Sequence, residues 1–177
     1  MDVGAGDGGY VLYRARTEPT TFAIAIDASP DALSAGAWRA KRTGLKNAAF
    51  LVEGVERLPA ELEDLADEVT VHFPWGSLLR GLVDGSSSVV GPIAVLMKAG
   101  AELRVVMSTL DRDGFEELTP SRIASRCGAY AEHGLRLVEA DWASSAIVVE
   151  SRSAWAKRLG VGRARRAVIA RYRRHAT

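Results

Sequence analysis

The chain has 177 residues, of which 47% are hydrophobic and 25% are charged. This length and composition predict a single globular domain over residues 1–177, large enough to bury a core. One cysteine, Cys127, excludes an internal disulfide and a cysteine-rich metal site, and with only three scattered histidines we expect no bound metal. No apolar run reaches the roughly 18 residues of a membrane span and no leader peptide precedes the first motif, so we expect a soluble, cytoplasmic protein.

The formal net charge of +1 conceals an uneven distribution of charge. Residues 151–177 contain nine Lys and Arg residues and no Asp or Glu, whereas residues 1–150 contain 14 basic residues and all 22 acidic ones. The chain is therefore predicted to carry a basic C-terminal segment on an acidic body, and the positive charge of that segment favours an anionic partner.

Strand-like and helix-like patterns alternate along the chain. The predicted strands cover residues 21–27, 48–54, 68–73, 101–108, 134–141 and 166–174, and the predicted helices cover 9–16, 32–42, 77–83, 89–98 and 121–133. This alternation predicts an α/β fold with a mainly parallel central sheet flanked by helices, and the break in rhythm near the end predicts an antiparallel C-terminal strand. The stretch "DGSSSVVG" (84–91) is predicted to be a mobile connection.

The first motif is "MDVGAGDGGY" (1–10). Its glycines fit both GxGxG (Gly4, Gly6, Gly8) and GxGxxG (Gly4, Gly6, Gly9), so the glycines alone do not identify the cofactor. Asp2 stands where dinucleotide-binding strands usually carry an apolar residue, and Asp27 ends the second strand, where a carboxylate can bind both hydroxyls of a ribose. This combination resembles the S-adenosylmethionine (SAM) site of Rossmann-like class I methyltransferases, in which the acid at the Asp2 position assists the methionine part of SAM. NAD binding, or a glycine turn without a ligand, is the alternative.

Two further segments follow strand ends. In the same architecture the residues after the third strand border the adenine of SAM, which makes Val55 and Glu56 candidates. The stretch "VHFPWGSLLRG" (71–81) follows the fourth strand, at the sheet edge where doubly wound folds bind substrates. Its corner, Phe73–Pro74–Trp75, is similar to the corner of methyltransferases that act on exocyclic amines, but it lacks their side-chain oxygen.

The missing oxygen points to a particular acceptor. A heteroaromatic ring nitrogen already has its lone pair in the plane and needs no such oxygen, so the corner favours methylation of a ring nitrogen. We expect Phe73 and Pro74 beside the cofactor and Trp75 beside the substrate; burial of Trp75 in the core is the alternative.

A second tryptophan, Trp155, lies in the basic segment "SRSAWAKRLGVGRARR" (151–166). Arginines interleaved with an aromatic ring suit nucleic acid, because cations contact phosphates and a flat ring stacks on a base. A solvated basic surface is the alternative. Trp38 and Trp142 have no comparable context and are predicted to be packing residues, and His72, inside an apolar strand, is predicted to be structural.

Together, "DVGAGDG", "VERLP", "FPWGSLLRG" and "SAWAKRLGVGRARR" resemble the aminoglycoside-resistance methyltransferases that modify N1 of adenine 1408 in the decoding site of 16S rRNA. The resemblance implies that SAM is the methyl donor, that Trp75 and Trp155 clamp the flipped adenine, and that Ser153 lies near the base and the cofactor. It implies rRNA contacts by Lys157, Arg158, Arg163 and Arg165, with Arg39, Lys41, Arg42 and Lys46 as weaker candidates. The implied partner is 16S rRNA in the assembled 30S subunit, and we expect a monomer.

The chain departs from this family at its amino end. Family members have more chain before the glycine loop, whereas Asp2 is the second residue here, so we expect a short first strand and, if the chain begins here, a weakened SAM site. Two other functions remain open: a SAM enzyme acting on another substrate, such as tRNA guanine N7 or a small metabolite, and an RNA-binding protein on a methyltransferase fold that has lost activity. A small-molecule enzyme would not need the basic segment, and SAM binding would distinguish the second alternative.

Overall fold

The structure is a computed structural model that describes residues 1–110, 113–115, 117–162 and 165–175. Its strands are β1 (Asp2–Val3), β2 (Ala23–Asp27), β3 (Ala48–Val52), β4 (Ala66–His72), β5 (Met97–Met107), β6 (Leu135–Trp142) and β7 (Val168–Arg174). Its α-helices are α1 (Gly9–Thr17), α2 (Pro30–Arg42), α3 (Gly76–Asp84), α4 (Ser87–Val95), α5 (Pro120–Ala124), α6 (Cys127–Ala131), α7 (Ser145–Glu150) and α8 (Ala154–Arg158).

The strands of the described residues form one sheet in the order β3-β2-β1-β4-β5-β7-β6. Neighbouring strands from β3 to β5 run parallel, while β7 lies antiparallel between β5 and β6. The predicted fold class is therefore confirmed: an α/β, Rossmann-like sheet that is mainly parallel and has an antiparallel C-terminal strand. Because the parallel strands share a direction, the loops that follow β1, β2 and β4 meet at one edge of the sheet.

The two faces of the central strands differ in polarity. On β4, the buried Val69 and Val71 belong to the main core, which α3 and α4 also supply. Because side chains alternate along a strand, Thr70 and His72 point to the opposite face. That face meets the polar side chains of β1 and α1. The alternation of side chains along β4 therefore places polar groups at the edge where the loops converge.

Two predictions about the bounds of α4 were wrong. The stretch 84–91 is not an irregular connection throughout, since Ser87–Gly91 begin α4. Val89 and Val90 are buried, and Val89 packs so closely on Gly81 that a Cβ built there would lie 2.3 Å from it. Burial of these two valines overrides the loop preference of the serine run. The helix predicted to reach residue 98 ends at Val95, because Met97 already begins β5.

The described residues contain neither a membrane-spanning helix nor a metal-binding cluster. None of their helices combines the length and the apolar character needed to cross a bilayer. The same residues contain no group of three His, Cys, Asp or Glu side chains placed to hold a metal ion.

Candidate functional site

A cavity of about 320 Å³ lies at the carboxyl ends of β1, β2 and β4. Nine of the residues predicted to bind cofactor, base or phosphate line it: Asp2, Gly4, Gly6, Asp27, Phe73, Trp75, Ser153, Trp155 and Arg158. These residues come from four separate parts of the chain, which the fold brings together. A larger cavity of about 530 Å³ opens beside Phe22 and Leu65 at the amino ends of β2 and β4. Doubly wound folds bind ligands at carboxyl ends, so the smaller cavity is the candidate site.

The glycine loop is held open at Gly6. Gly6 has a φ of +55°, and a Cβ built on it would meet nothing within 4 Å. Its N–H donates to Oδ2 of Asp27 at 2.7 Å, while Oδ1 of Asp27 accepts the N–H of Ser29 at 2.9 Å. Asp27 thus ties the glycine loop to the start of α2. Any larger residue at Gly6 would be strained and would project into the space above the loop.

A buried polar cluster lies beneath the cavity. Thr70 donates its hydroxyl hydrogen to Oδ1 of Asp2 at 2.6 Å, and Nδ1 of His72 lies 3.2 Å from the same oxygen. The rings of Tyr10 and His72 meet edge to face, with centroids 4.4 Å apart. Within the described residues Oδ2 of Asp2 has no hydrogen-bond partner, although Asp2 lines the cavity. The cluster therefore fixes one carboxylate oxygen and leaves the other available to a ligand.

The corner after β4 directs the aromatic side chains of Phe73 and Trp75 to different places. Phe73 has a φ of +52°, and its N–H donates to the carbonyl of Val106 at 2.7 Å. Its ring is buried with Ala156 and Val161 in a small apolar cluster. Trp75, two residues later, is 72% exposed at the cavity. A left-handed conformation at a non-glycine residue is strained and is common at functional sites, and here it directs Phe73 inward and Trp75 outward.

The segment from Ser151 to Trp155 forms the opposite wall. Ser153 caps α8, since its Oγ accepts the N–H of Ala156 at 3.1 Å, and its own N–H donates to Oγ of Ser151 at 3.3 Å. Trp155, on α8, is half-buried and packs against the apolar cluster of Phe73. The same cluster therefore supports both cavity tryptophans. Trp155 packs on it directly, whereas Trp75 is linked to it through Phe73, two residues earlier in the chain.

Four of the residues predicted to bind the cofactor do not line the cavity. Gly8 instead lies against the ring of Phe50, which a Cβ at Gly8 would approach to 2.6 Å. Val55 packs against the main core and Glu56 is exposed, both in a single turn of 3₁₀ helix after β3. Pro74 lies between two lining residues. A cofactor role for these four remains a prediction.

The basic residues divide into two classes. Lys157, Arg158 and Arg165 are exposed, and none of them pairs with a carboxylate in the described part of the chain. By contrast, Arg171 and Arg173 on β7 face Glu102, and Arg171 also lies 3.4 Å from Glu139. The nine cations of the C-terminal segment therefore do not act as one group, since β7 uses some of its arginines within the sheet. Arg163 lies outside the described residues.

Helix α2 and the loop after it carry the weaker basic candidates. Arg39 donates to the carboxylate and the carbonyl of Asp7 at 2.8 and 2.7 Å, so it anchors the glycine loop. Arg42 and Lys46 are exposed, and the guanidinium of Arg42 lies 4.5 Å from the ring centre of Trp38. The prediction that Trp38 is a packing residue was wrong, because its side chain lies on the outward face of α2 and is 59% exposed.

Among the cavity-wall residues that sequence reasoning missed, three have polar side chains with defined contacts: His72, Tyr10 and Arg152. His72, predicted to be structural, contacts Asp2 and lines the cavity. Tyr10 also lines it; burial raises the pKa of the Tyr10 phenol, and its hydroxyl oxygen accepts hydrogen bonds from Arg14 and Arg104. Arg152 lies over the ring of Tyr13 with its guanidinium 4.4 Å from the centroid. The only local signals were the position of Tyr10 directly after the glycines and of Arg152 near Trp155.

Comparison with known proteins gives a consistent result. The family model described as "NpmA: 16S rRNA (adenine(1408)-N(1))-methyltransferase" matches residues 1–174. The 16S rRNA (adenine(1408)-N(1))-methyltransferase of Escherichia coli is 28% identical, over 93% of this chain and 82% of its own length. The protein of that name from Streptoalloteichus tenebrarius is 30% identical, over 96% of this chain and 84% of its own length.

Solved structures agree with the sequence relatives. A mutant of the 16S rRNA (adenine(1408)-N(1))-methyltransferase from Catenulisporales acidiphilia, crystallised with cosubstrate SAM, superposes with a TM-score of 0.89 at 27% identity. That match covers 99% of this chain and 84% of the other. The aminoglycoside resistance methyltransferase NpmB1 superposes with a TM-score of 0.76 at 33% identity, covering 98% of this chain and 85% of the other.

Proposed function

The chain belongs to the 16S rRNA (adenine(1408)-N(1))-methyltransferase family, and we propose that it transfers the methyl group of SAM to N1 of adenine 1408, which confers aminoglycoside resistance. One observation carries the proposal to these residues. The glycine loop with Asp2 and Asp27, typical of SAM sites, shares a single cavity with Trp75 and Trp155. An enzyme that methylates a base needs this proximity of cofactor and aromatic surfaces.

The cavity residues fit SAM. The open space above Gly6 accommodates a ligand close to the backbone, and Oδ2 of Asp2 is an available acceptor for its ammonium group. The carboxylate of Asp27 retains acceptor capacity for ribose hydroxyls beyond its bonds to Gly6 and Ser29. When bound, SAM supplies an electrophilic methyl group on a sulfonium centre. We assign the polypeptide's part to holding the cofactor at Asp2, Gly4, Gly6, Asp27 and Phe73.

The target base is handled by the two tryptophans. Flipping a base out of its stack costs a few kcal/mol, and stacking on aromatic rings, at about 1–3 kcal/mol per base, offsets that cost. Adenine N1 is largely unprotonated at neutral pH, so no general base is needed and placement of N1 dominates catalysis. Methylation makes the purine cationic, and the indole faces of Trp75 and Trp155 stabilise that charge. Ser153 positions Trp155 by capping α8.

The partner we propose is 16S rRNA in the assembled 30S subunit. Support comes from exposed cations that have no carboxylate partner among the described residues. They are Arg158 at the cavity, together with Lys157 and Arg165, and Arg42 and Lys46 add a second group. Cations that are not consumed within the fold are available to phosphates. We further propose that the protein acts in the cytoplasm as a monomer. Its single domain, residues 1–177, would hold both the SAM site and the RNA-binding surface.

The experiment is primer extension on 16S rRNA from cells that express the protein, with Trp75→Ala as the matched inactive control. Methylation at N1 blocks Watson–Crick pairing, so reverse transcription should stop at adenine 1408 for the parent protein and read through for the variant. Purified 30S subunits and tRNA are offered separately with labelled SAM. Label on tRNA alone would show that tRNA, and not 16S rRNA, is the substrate. SAM binding without transfer to either RNA would indicate an RNA-binding protein that has lost activity.

A further inference from the structure

Trp38 is an exposed tryptophan for which the candidate site gives no role. It is 59% exposed on α2, and its contact is with the guanidinium of Arg42, one turn further along the helix, 4.5 Å from the ring centre. A ring with this much exposed surface contributes little to the packing of the fold and is available to a partner, and tryptophan is enriched at interfaces. The arginine over the ring supplies a positive charge at the same place.

The position of Trp38 links it to the candidate site. Asp7 and Ala35 line both the central cavity and a shallow, open groove whose other residues are Ser34, Trp38 and Arg39. Ala35 and Trp38 are three residues apart in a helix and therefore share one face. A polymer that places one of its units in the cavity would pass over Trp38 if it leaves along α2.

The charge around Trp38 selects the partner. Residues 32–52 contain four cations, Arg39, Lys41, Arg42 and Lys46, and no Asp or Glu. Arg39 is held by Asp7, while Lys41, Arg42 and Lys46 are exposed and form no ion pair within the described residues. A protein partner would need a matching acidic surface. A nucleic acid provides phosphates for the cations and a flat base for the indole with the same strand.

We propose that Trp38 adds a base contact to the RNA-binding group of Arg42 and Lys46, separate from the base clamp: Trp38 stacks on an unpaired nucleobase next to the phosphate that Arg42 binds. The contact rests on the proposed function for the identity of the RNA, but not on the methylation chemistry. It makes Trp38 a determinant of RNA affinity and of placement on the subunit.

The test compares Trp38→Ala and Trp38→Phe with Phe22→Ala in the full chain. Phe22 is a matched control, because it is 60% exposed but lies at the amino end of β2, beside the other cavity. For Trp38→Ala we expect the Kd for 30S subunits to rise roughly 5- to 100-fold, the loss of one stacking contact. The methylation KM for subunits should rise in parallel. Trp38→Phe should recover most of the affinity, and Phe22→Ala should bind as the parent does.

Two controls keep the result specific. The SAM Kd and the melting temperature should be the same in Trp38→Ala and the parent, because the ring is exposed. Arg42→Gln should reduce the dependence of subunit binding on salt, whereas Trp38→Ala should not, since stacking releases no counterions. Parental subunit affinity in Trp38→Ala would overturn the proposal, and if that variant instead changes self-association in sedimentation, the surface is a protein interface. A parent that binds subunits but does not methylate adenine 1408 would contradict the proposed function and leave this comparison readable.

Discussion

At the scale of single residues, the two cavity tryptophans differ in how far they are embedded. Trp75 is 72% exposed, while Trp155 is half-buried against the cluster of Phe73. Trp75→Ala should therefore reduce methylation of 30S subunits by orders of magnitude without lowering the melting temperature. Trp155→Ala should reduce methylation and should also lower the free energy of unfolding, by less than the ~3–5 kcal/mol lost when a fully buried tryptophan is truncated. Phe at either position should retain part of the activity, because an aromatic face remains. Melting curves and methyl transfer on the same preparations check this, and a collapse of Trp75→Ala on heating would contradict the clamp.

His72 gives a second prediction at this scale. Its Nδ1 lies 3.2 Å from Oδ1 of Asp2, so it helps hold the carboxylate that we assign to the ammonium of SAM. His72→Leu keeps a similar side-chain volume but removes that contact. SAM affinity should fall by about 3- to 10-fold, equivalent to about 1 kcal/mol for one hydrogen bond. His72→Asn, which can still donate, should lose less. Calorimetric titration with SAM measures both, and an unchanged Kd in His72→Leu would remove His72 from the site.

At the scale of elements, the cavity depends on short helices with specific caps. Helix α8 has only five residues, and Ser153 accepts the N–H of Ala156 at its start. Ser153→Ala should cost about 0.5–2 kcal/mol of stability through loss of the cap and should lower methylation by displacing Trp155. Ser153→Thr keeps a capping hydroxyl and should restore most of both. Thermal melting and methylation by the pair provide the measurement. If Thr restores stability but not activity, the serine contacts the base or cofactor directly.

At the same scale, the main error of the sequence analysis concerns the start of α4. The strand alternation and the glycine motif were recognisable locally, and the strands they predicted are present within a few residues of their predicted bounds. The start of α4 was missed because its serines favour a loop, while the burial of Val89 and Val90 against Gly81 decides for a helix. Local propensity is a weak determinant when tertiary burial opposes it.

At the scale of the whole molecule, the exposed cations that form no ion pair among the described residues predict how RNA binding responds to salt. Affinity for 30S subunits should fall linearly on a logarithmic plot against salt concentration. Arg165→Gln should reduce that slope by about 0.7–0.9, the value for one phosphate contact. Lys98→Gln removes the same charge at the other end of the sheet, where Lys98 pairs with Asp67 at 2.7 Å, and should leave the slope as it is. Equal slopes for Arg165→Gln and the parent would assign Arg165 to a solvated surface.

The sequence by itself determined the features that arise from neighbouring residues. Period-two alternation predicted the strands, the glycines with Asp2 and Asp27 predicted a SAM site, and the two tryptophan segments indicated a base-methylating enzyme of a known family. These patterns are readable because strand geometry and backbone approach to a ligand depend on residues close together in the chain.

Only the tertiary structure decided which side chains face one another. The pairing of β1 with β4 brings Asp2 to Thr70 and His72, about 70 positions away. The position of β7 between β5 and β6 places some of its arginines in ion pairs with glutamates of those strands, although in sequence they look equivalent to their exposed neighbours. The outward direction of Trp38 likewise follows from the face that α2 buries, Leu33, Gly36 and Ala40, rather than from its own sequence context. Sheet order and helix orientation are set by long-range burial, which no local pattern records.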